Sequence, residues 1–318
     1  MSFEILIFII SISLLSIYYF PFQVFKIAIY IPYFVYKTLV LWKLRLDSSA
    51  MITHRGRIEY RGKGQNDNVL LYIHGSPGGY DQTTDPGKNY SVLTPSRPGY
   101  LGTDILSGSS PEAQADCFKA LIDELKLDKV FVMGVSGGGP SAMHFAAQYP
   151  ENTAGLILFE AVSYSEDFRG KDEALINAWD MDLFIQLSFM TFFGSKKLAA
   201  RILPNKNNRT RLLSNKRNVE LLKKVIWSIW PISRRRHGIK NDYSQFMNLN
   251  IPFGRISCPT LIIHGSEDIN VDINHAEYAN KKINNSVLYV VHEGDHMMHA
   301  THEDEIEKQI ELFIAEHS

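Results

Sequence analysis

The sequence predicts an α/β fold in which helices cover both faces of a mostly parallel, doubly wound sheet. Short apolar runs rich in β-branched residues recur along most of the 318 residues and alternate with amphipathic, helix-forming segments. Several of these runs end in glycine-rich loops, and ligands of parallel sheets bind beyond the carboxyl ends of the strands. A content of 45% hydrophobic and 21% charged residues fits a globular protein with a sizeable core.

Charge and cysteine content narrow the class of protein. The formal net charge of −1 gives no reason to expect a nucleic-acid partner. The two cysteines, Cys117 and Cys258, are too few for a disulfide framework. Because Cys258 directly precedes an apolar strand, we expect it to be a buried free thiol, which is compatible with a reducing compartment.

The N-terminal segment differs from the rest of the chain. Residues 5–25 carry no charge and are numerous enough to cross a hydrocarbon core as a single-pass helix. They lack the basic start and the small-residue cleavage site of a signal peptide, so we expect an uncleaved membrane anchor. Basic residues follow this run and none precedes it, which predicts that the globular part lies on the cytoplasmic side. Asn-x-Ser/Thr triplets at Asn89 and Asn208 would fit glycosylation if the orientation were the opposite.

The next segment, residues 27–42, is again apolar and aromatic but is interrupted by Pro32 and Lys37. Three interpretations are open: a second short membrane span, an interfacial helix, or a helix packed on the globular part.

The first elements of the globular part are short strands and one helix. An alternating segment at residues 57–61 predicts an edge strand. Residues 69–73 predict a buried strand that runs directly into the glycine-rich segment 74–79. Residues 90–95 predict another strand, and the amphipathic segment 110–127 predicts a helix.

The most informative stretch joins an apolar strand at residues 130–133 to a helix-forming run that begins at Pro140. Between them lies Gly134-Val135-Ser136-Gly137-Gly138, a G-x-S-x-G pattern. A strand, a sharp glycine turn and a helix form the context of a nucleophile elbow, which exposes the serine hydroxyl at its tip. Gly134 and Gly138 are expected there because the tight turn requires small residues beside the serine. A glycine-rich connection with an incidental serine is the structural alternative.

Beyond the strand predicted at residues 156–159, the strand–helix alternation stops and later resumes. Residues 164–253 indicate several helices rich in bulky apolar side chains. The resumed alternation comprises a strand at residues 260–263, a helix at 272–283, a strand at 287–291 and a helix at 303–316. The sequence therefore predicts a core from residues 51–163 and 254–318, an inserted helical cap at 164–253, and a membrane anchor with its proximal segment at 1–46.

Two later loops hold the partners that an activated serine needs, namely a base and a carboxylate that orients it. Asp268 and His296 each follow a predicted parallel strand, so both are expected at the sheet edge where Ser136 lies. The alternatives to Asp268 are carboxylates of the same loop or of the preceding strand end: Glu267, Asp272, Glu160 and Glu166.

With these motifs in this order, the chain from about Gly56 to its C-terminus resembles the α/β-hydrolase fold superfamily. It is similar to the branch whose oxyanion loop has the pattern His-Gly-x-Pro-Gly, here His74-Gly75-Ser76-Pro77-Gly78. Residues 96–104 resemble the R-P-G-x-G loop of that branch, with Leu101 inserted after the aromatic residue. The N-terminal segment falls outside the resemblance.

The resemblance implies a role for each site residue. Ser136 would be the nucleophile, His296 the general base and Asp268 its orienting acid. The backbone N–H groups of Ser76 and Gly137 would form the oxyanion hole. Haloalkane dehalogenases and epoxide hydrolases of this branch carry an aspartate where Ser136 stands, so the expected chemistry is acyl transfer, with no metal or organic cofactor.

The sequence thus favours a serine esterase that acts on an apolar or lipid-like carboxylic ester, because an apolar cap and a membrane anchor suit such a substrate. Several alternatives stay open. A proline-iminopeptidase-like amidase would need a carboxylate cage for a free amine, for which the candidates are Glu160, Glu166, Asp167, Asp180 and Asp182. Carbon–carbon hydrolases and cofactor-free perhydrolases use the same triad. A catalytically silent binding protein of this fold is the alternative outside enzymes.

Two charged clusters have simpler explanations than a second site. The histidines and carboxylates of residues 292–304 match no metal-binding spacing. Arg234, Arg235 and Arg236 predict a solvated turn or a contact with acidic lipid headgroups. His74 and His264 are expected to make structural hydrogen bonds in their loops.

Overall fold

The computed structural model describes residues 23–62, 68–83, 87, 89–170, 173–193, 203 and 205–318. The chain divides into two compact units, Met1–Asp47 and Ser48–Ser318. All but the last three residues of the predicted membrane-spanning run, 5–25, lie outside the described residues. Within the described ranges, no helix combines the length and the apolar character needed to cross a membrane.

The described helices are α1 (Gln23–Leu46), α2 (Pro111–Glu124), α3 (Gly139–Gln148), α4 (Glu173–Asn177), α5 (Asp180–Phe193), α6 (Lys206–Ser214), α7 (Lys216–Trp227), α8 (Arg236–Phe246), α9 (Asn274–Lys282), α10 (Met298–Thr301) and α11 (Glu303–Glu316). The first unit contains α1, which runs through residues 27–42 with Pro32 inside it. This helix is among those that lack the length and apolar character of a membrane span, so the structure gives no support to a second span at residues 27–42.

The second unit is built on eight strands: β1 (Ser49–Thr53), β2 (Gly56–Arg61), β3 (Val69–Ile73), β4 (Ser91–Pro95), β5 (Val130–Val135), β6 (Thr153–Phe159), β7 (Thr260–Gly265) and β8 (Ser286–Val291). They form one sheet in the order β1-β2-β4-β3-β5-β6-β7-β8. The pairs β1–β2 and β2–β4 are antiparallel and the other five pairs are parallel. The expectation of a mostly parallel α/β sheet is confirmed.

Helices cover both faces of this sheet. Alternate strand residues point to opposite faces, so neighbours in β3 join different cores. Leu71 packs in a cluster with Phe118 of α2 and Met143 of α3. Leu70 belongs to a second cluster that contains Ile310 of α11. Burial on both faces explains why the central strands are continuous apolar runs rather than alternating ones.

The strand predicted to form one edge of the sheet is not the edge strand. Residues 57–61 were expected to form the edge strand, but β2 pairs with β1 on one side and with β4 on the other. The true edge strand, β1, begins at Ser49 in a segment where the sequence predicted no strand. Four of its five side chains are exposed or half-buried, so it carries no apolar pattern that a sequence could reveal.

The predicted cap, residues 164–253, lies in the chain between β6 and β7 and contains helices α4 to α8 in its described part. Core and cap belong to the same compact unit, so the bounds proposed for them stay a prediction.

Cys117 and Cys258 are free and buried, as expected for Cys258. Burial raises the pKa of the Cys117 thiol to about 12 and that of Cys258 to about 11.

Candidate active site

Ser136 follows β5 directly and begins a short 3-10 turn, Ser136–Gly138, that leads into α3. Its φ of 49° lies in the left-handed region, which is unfavourable for a residue with a side chain. Glycines make the turn possible. A Cβ on Gly134 would lie 2.6 Å from Cβ of Ala142, and one on Gly138 would lie 2.4 Å from the carbonyl oxygen of Ile73. The predicted need for small residues at both positions thus has a direct steric reason.

The three residues predicted to act on the substrate lie together at the carboxyl ends of β5, β7 and β8. His296 Nε2 is 3.1 Å from Ser136 Oγ, and His296 Nδ1 is 2.7 Å from Asp268 Oδ2. A proton on Nδ1 satisfies Asp268 and leaves Nε2 free to accept the serine proton. The second oxygen of Asp268 accepts hydrogen bonds from the backbone N–H groups of Asn270 and Val271, at 2.8 and 3.0 Å.

Asp268 is held in its ionised form although it is buried. Burial acts to raise its pKa, but His296 and the N–H donor of Val271 outweigh that effect, so the pKa lies below its ordinary value. A buried carboxylate with fixed donors can orient the imidazole and stabilise the imidazolium that forms when His296 takes a proton.

The alternatives to Asp268 are engaged elsewhere or lie farther from the imidazole. Glu267 accepts a hydrogen bond from Asn205, and Asp272 accepts one from the backbone N–H of Asn274. Glu166 pairs with the buried His275 at 2.8 Å. His74 and His264 bond to backbone atoms of Arg97 and Val271, as expected of structural histidines.

Glu160 is the exception, because it also faces the imidazole. It follows β6 with a φ of 49°, is buried, and places Oε2 3.9 Å from His296 Nδ1. Its Oε1 makes no hydrogen bond. Burial, reinforced by the nearby carboxylates of Asp268 and Asp295, raises the pKa of Glu160 well above its ordinary value. The site therefore contains two carboxyl groups beside the same histidine whose pKa values are shifted in opposite directions.

The two residues predicted to form the oxyanion hole are neighbours in space. A Cβ on Gly137 would lie 3.2 Å from Cβ of Ser76, and one on Gly75 would lie 3.1 Å from Cβ of Ser136. The loop after β3 and the elbow after β5 therefore meet at the serine. Their roles as hydrogen-bond donors stay a prediction.

Among the described residues, Glu160, Asp268 and His296 are the three whose ligand atoms are close enough together to hold a metal ion. Residues 292–304 contribute only His296 to that group. An ion at Nδ1 of His296 would have to displace the 2.7 Å hydrogen bond to Asp268. The predicted independence from metals remains to be tested.

Sequence reasoning missed three polar residues of the cap that reach the core. Asn208 of α6 is 1% exposed. Its amide donates to the carbonyl oxygen of Glu293 at 2.6 Å and to the carboxylate of Asp295 at 2.9 Å, both in the loop that carries His296. Glycosylation of the folded protein at Asn208 is thereby excluded on steric grounds. Arg235 contacts Asp81 of the core, which lies 154 residues earlier in the chain. Asp242 contacts Ser76 of the core, which lies 166 residues earlier. No sequence pattern signals pairs that are so distant in the chain.

The prediction of a solvated arginine turn is wrong for two of its three members. Arg235 is fully buried and bonds to the carbonyl oxygen of Gly78 and the carboxylate of Asp81. Arg236 donates to the carbonyl oxygens of Ile176 and Ala178. Arg234 is exposed, and the second arginine of the turn, Arg235, is the one that faces the loop after β3.

Comparisons with known proteins agree with this architecture. A family model described as alpha/beta hydrolase fold matches residues 68–303. The uncharacterized hydrolase YcgS of Bacillus subtilis is 30% identical over 262 residues, which cover 76% of this chain and 89% of that protein. A 2-hydroxy-6-oxononadienedioate/2-hydroxy-6-oxononatrienedioate hydrolase of Klebsiella pneumoniae is 26% identical, with 81% of this chain and 91% of that protein covered. The structure of an alpha/beta hydrolase fold protein from Nakamurella multipartita aligns with a TM-score of 0.74 at 26% identity, over 83% of this chain and 97% of that one.

Proposed function

The chain belongs to the α/β-hydrolase fold family, and on that basis we propose that it is a serine hydrolase that cleaves carboxylic esters. The observation that carries this proposal is the continuous hydrogen-bond chain from Ser136 through His296 to the ionised Asp268. A serine on an elbow, with a base and an orienting carboxylate, is the arrangement that activates a hydroxyl for acyl transfer.

The mechanism uses groups of this chain at every step. His296 Nε2 takes the proton of Ser136 as its Oγ bonds to the carbonyl carbon of the ester, and Asp268 stabilises the imidazolium. The carbonyl oxygen becomes an oxyanion that accepts hydrogen bonds from the N–H groups of Ser76 and Gly137. Collapse of this intermediate breaks the bond to the alkoxide, which leaves as an alcohol with the proton from His296. Water, deprotonated by His296, then attacks the acyl-enzyme and releases the acid and free Ser136.

An apolar acyl group is the substrate that the surroundings favour. Phe246 lies beside the elbow, since a Cβ on Gly137 would be 3.1 Å from its Cζ, and its ring packs against Phe168. Further into the cap, Phe184, Trp227 and Trp230 form an aromatic cluster. Aromatic side chains beside the nucleophile would stabilise a hydrocarbon chain more than a charged one.

Carbon–carbon bond hydrolysis is the second candidate, and the similarity to the Klebsiella hydrolase favours it. The amidase alternative loses support because three of its five proposed cage carboxylates are engaged in other contacts. Glu166 pairs with His275, Asp167 with Arg169, and Asp180 with Ser233. A free amine would find these carboxylates already engaged.

The experiment compares wild-type protein with Ser136→Ala, using a fluorophosphonate probe and p-nitrophenyl esters from acetate to dodecanoate. We expect labelling of the wild type only, and a loss of ester turnover of about a thousandfold or more in the variant. We also expect kcat/KM to rise with acyl length up to at least eight carbons.

Three outcomes would count against parts of this proposal. Folded wild-type protein that neither labels nor turns over esters would contradict the hydrolase mechanism. Faster turnover of acetate than of octanoate would contradict the apolar acyl group. Turnover of 2-hydroxy-6-oxo-6-phenylhexa-2,4-dienoate well above that of every ester would favour the carbon–carbon hydrolase.

Membrane attachment is a separate proposal that rests on the sequence of residues 5–25 alone. The described residues give it no support, since none of their helices could span a bilayer. If attachment holds, the catalytic unit would act on substrates that partition into lipid.

A further inference from the structure

A buried polar cluster connects cap helix α8 to the loops beside Ser136. Arg97 of the core and Asp242 of α8 form a two-pronged ion pair, with distances of 2.8 and 2.6 Å. They are 1% and 2% exposed. A charge buried to this extent is tolerated only when it is paired and hydrogen-bonded, so the pair fixes α8 against the core.

The same carboxylate also holds the loop that is proposed to supply an oxyanion donor. Ser76 Oγ donates to Asp242 Oδ2 at 2.7 Å, and the Tyr100 hydroxyl donates to the same oxygen at 2.5 Å. Burial and the Asp242 carboxylate raise the pKa of Tyr100 well above its ordinary value, so the phenol keeps its proton. One oxygen of the cap therefore receives donors from the arginine, the tyrosine and the oxyanion loop.

Further contacts place α8 and the turn before it on both sides of the proposed oxyanion hole. Phe246, four residues after Asp242, packs against Gly137, the second proposed donor. The backbone N–H of Gly238 donates to the carbonyl oxygen of Gly99 at 3.0 Å. A Cβ on Gly238 would lie 2.1 Å from the ring of Tyr100, so the helix approaches this loop as closely as its backbone permits.

A second ion pair of opposite polarity joins the same two parts of the molecule. Here the cap supplies the cation, Arg235, and the core supplies the anion, Asp81, at 2.6 Å. Arg235 also donates to the carbonyl oxygen of Gly78, a contact that does not depend on the Asp81 carboxylate. The ion pair itself does not involve the Ser76 side chain, so its removal by Asp81→Asn provides a matched control.

We propose that Asp242 is a positioning residue for hydrolysis, which holds the backbone N–H of Ser76 in place for the oxyanion through the Ser76 hydroxyl. The inference rests on the proposed function and adds that the oxyanion hole is complete only when α8 is seated on the core. Oxyanion donors act by being fixed before charge develops, so a small displacement affects the transition state more than the bound ester.

The experiment measures kcat and KM for p-nitrophenyl butyrate, and the melting temperature, in the full chain. The variants are Ser76→Ala, Asp242→Asn and Asp81→Asn. Ser76→Ala keeps the backbone N–H and the Arg97–Asp242 pair but loses the hydroxyl that Asp242 holds. Inhibition by an alkyl trifluoromethyl ketone, which adds to an activated serine as a tetrahedral oxyanion, reports on the hole separately from ester binding.

We expect kcat to fall about tenfold in Ser76→Ala and up to a hundredfold in Asp242→Asn, with KM changed less than about threefold. The trifluoromethyl ketone should lose affinity in parallel with kcat. Asp81→Asn should keep kcat within about threefold of wild type, although it lowers the melting temperature.

A wild-type kcat in Ser76→Ala would overturn the inference, and so would equal losses of kcat in Asp81→Asn and Asp242→Asn. If Asp242→Asn does not fold, Ser76→Ala decides the question by itself. Absence of Ser136-dependent turnover in the wild type would overturn the proposed function and this inference with it, whereas an active wild type with unaffected variants would overturn this inference alone.

Discussion

Asp268 and Glu160 approach one imidazole from neighbouring strands, yet their surroundings shift their pKa values in opposite directions. Asp268 accepts hydrogen bonds from two backbone N–H groups and lies 2.7 Å from His296 Nδ1. Glu160 has an oxygen without a hydrogen bond and lies 3.9 Å from the same nitrogen. The donors stabilise the charge on Asp268, while burial and the nearby carboxylates of Asp268 and Asp295 favour the neutral form of Glu160 by raising its pKa.

The raised pKa of Glu160 predicts a pH-dependent stability difference. The pKa of Glu160 is higher in the folded protein than in the unfolded chain. Below the unfolded pKa the group is protonated in both states and does not reduce the free energy of unfolding. As the pH rises from there toward the folded pKa, only the unfolded chain loses the proton, and the free energy of unfolding falls. The loss amounts to about 1.4 kcal/mol for each pH unit above the ordinary carboxyl pKa of about 4.3. Glu160→Gln removes this ionisation, so between pH 4.5 and pH 8 its melting temperature should rise relative to that of wild type, by a margin that grows until the pH reaches the folded pKa of Glu160.

Thermal unfolding of both proteins across that range measures the margin. Any acid-side loss that comes from the depressed pKa of Asp268 affects both proteins and cancels in the difference. A margin that is constant or shrinks with rising pH would show that Glu160 is ionised in the folded protein.

Among the elements, α6 of the cap and the loop after β8 are tied by a single buried side chain. The amide of Asn208 bridges the carbonyl oxygen of Glu293 and the carboxylate of Asp295, next to His296 in the chain. This contact lets the position of a cap helix influence the loop that carries the proposed base.

Asn208→Ala should therefore destabilise the protein by about 1–3 kcal/mol, because Asp295 and a backbone carbonyl lose their buried donor. Urea unfolding measures this change. The neighbouring Asn207→Ala is the matched control, since Asn207 is exposed and contacts the Glu293 carboxylate at the surface. That variant should stay within about 0.5 kcal/mol of wild type. Equal effects of the two substitutions would mean that the buried bridge contributes little.

At the scale of the whole molecule, the sheet, both apolar clusters and the candidate site all lie within one unit, Ser48–Ser318. The residues matched by the family model also lie inside it. A unit that contains its own core has the contacts required to fold without the preceding segment.

We therefore expect residues 48–318, produced alone, to unfold cooperatively and to hydrolyse p-nitrophenyl butyrate with the kcat of the full chain. If residues 5–25 anchor the protein, the full chain should sediment with lipid vesicles and should not be extracted from them by alkaline carbonate. Residues 48–318 should stay in the supernatant. An inactive, unfolded 48–318 segment would contradict its independence, and equal partition of the two proteins would contradict the anchor.

The strand–helix alternation was predictable because its signals are local. The helix expected at residues 303–316 coincides with α11, and the strand expected at 69–73 coincides with β3. The edge strand β1 was missed because exposed side chains carry no apolar period. The placement of Ser136, Asp268 and His296 at one sheet edge followed from parallel strand topology, in which every strand–loop junction of this kind faces the same way.

The sequence by itself determined the fold class, the elbow and the candidate triad, because each depends on residue types at short spacing or on the order of strands. Only the tertiary structure decided which carboxylate contacts His296 and in which direction each pKa is shifted, since that depends on donors and burial contributed by other strands. It also showed that Arg235 is buried against Gly78 and Asp81 rather than solvated, and that Asp242 of the cap accepts a hydrogen bond from Ser76. Contacts between residues about 150 positions apart arise from packing of the cap on the core, and no local pattern encodes them.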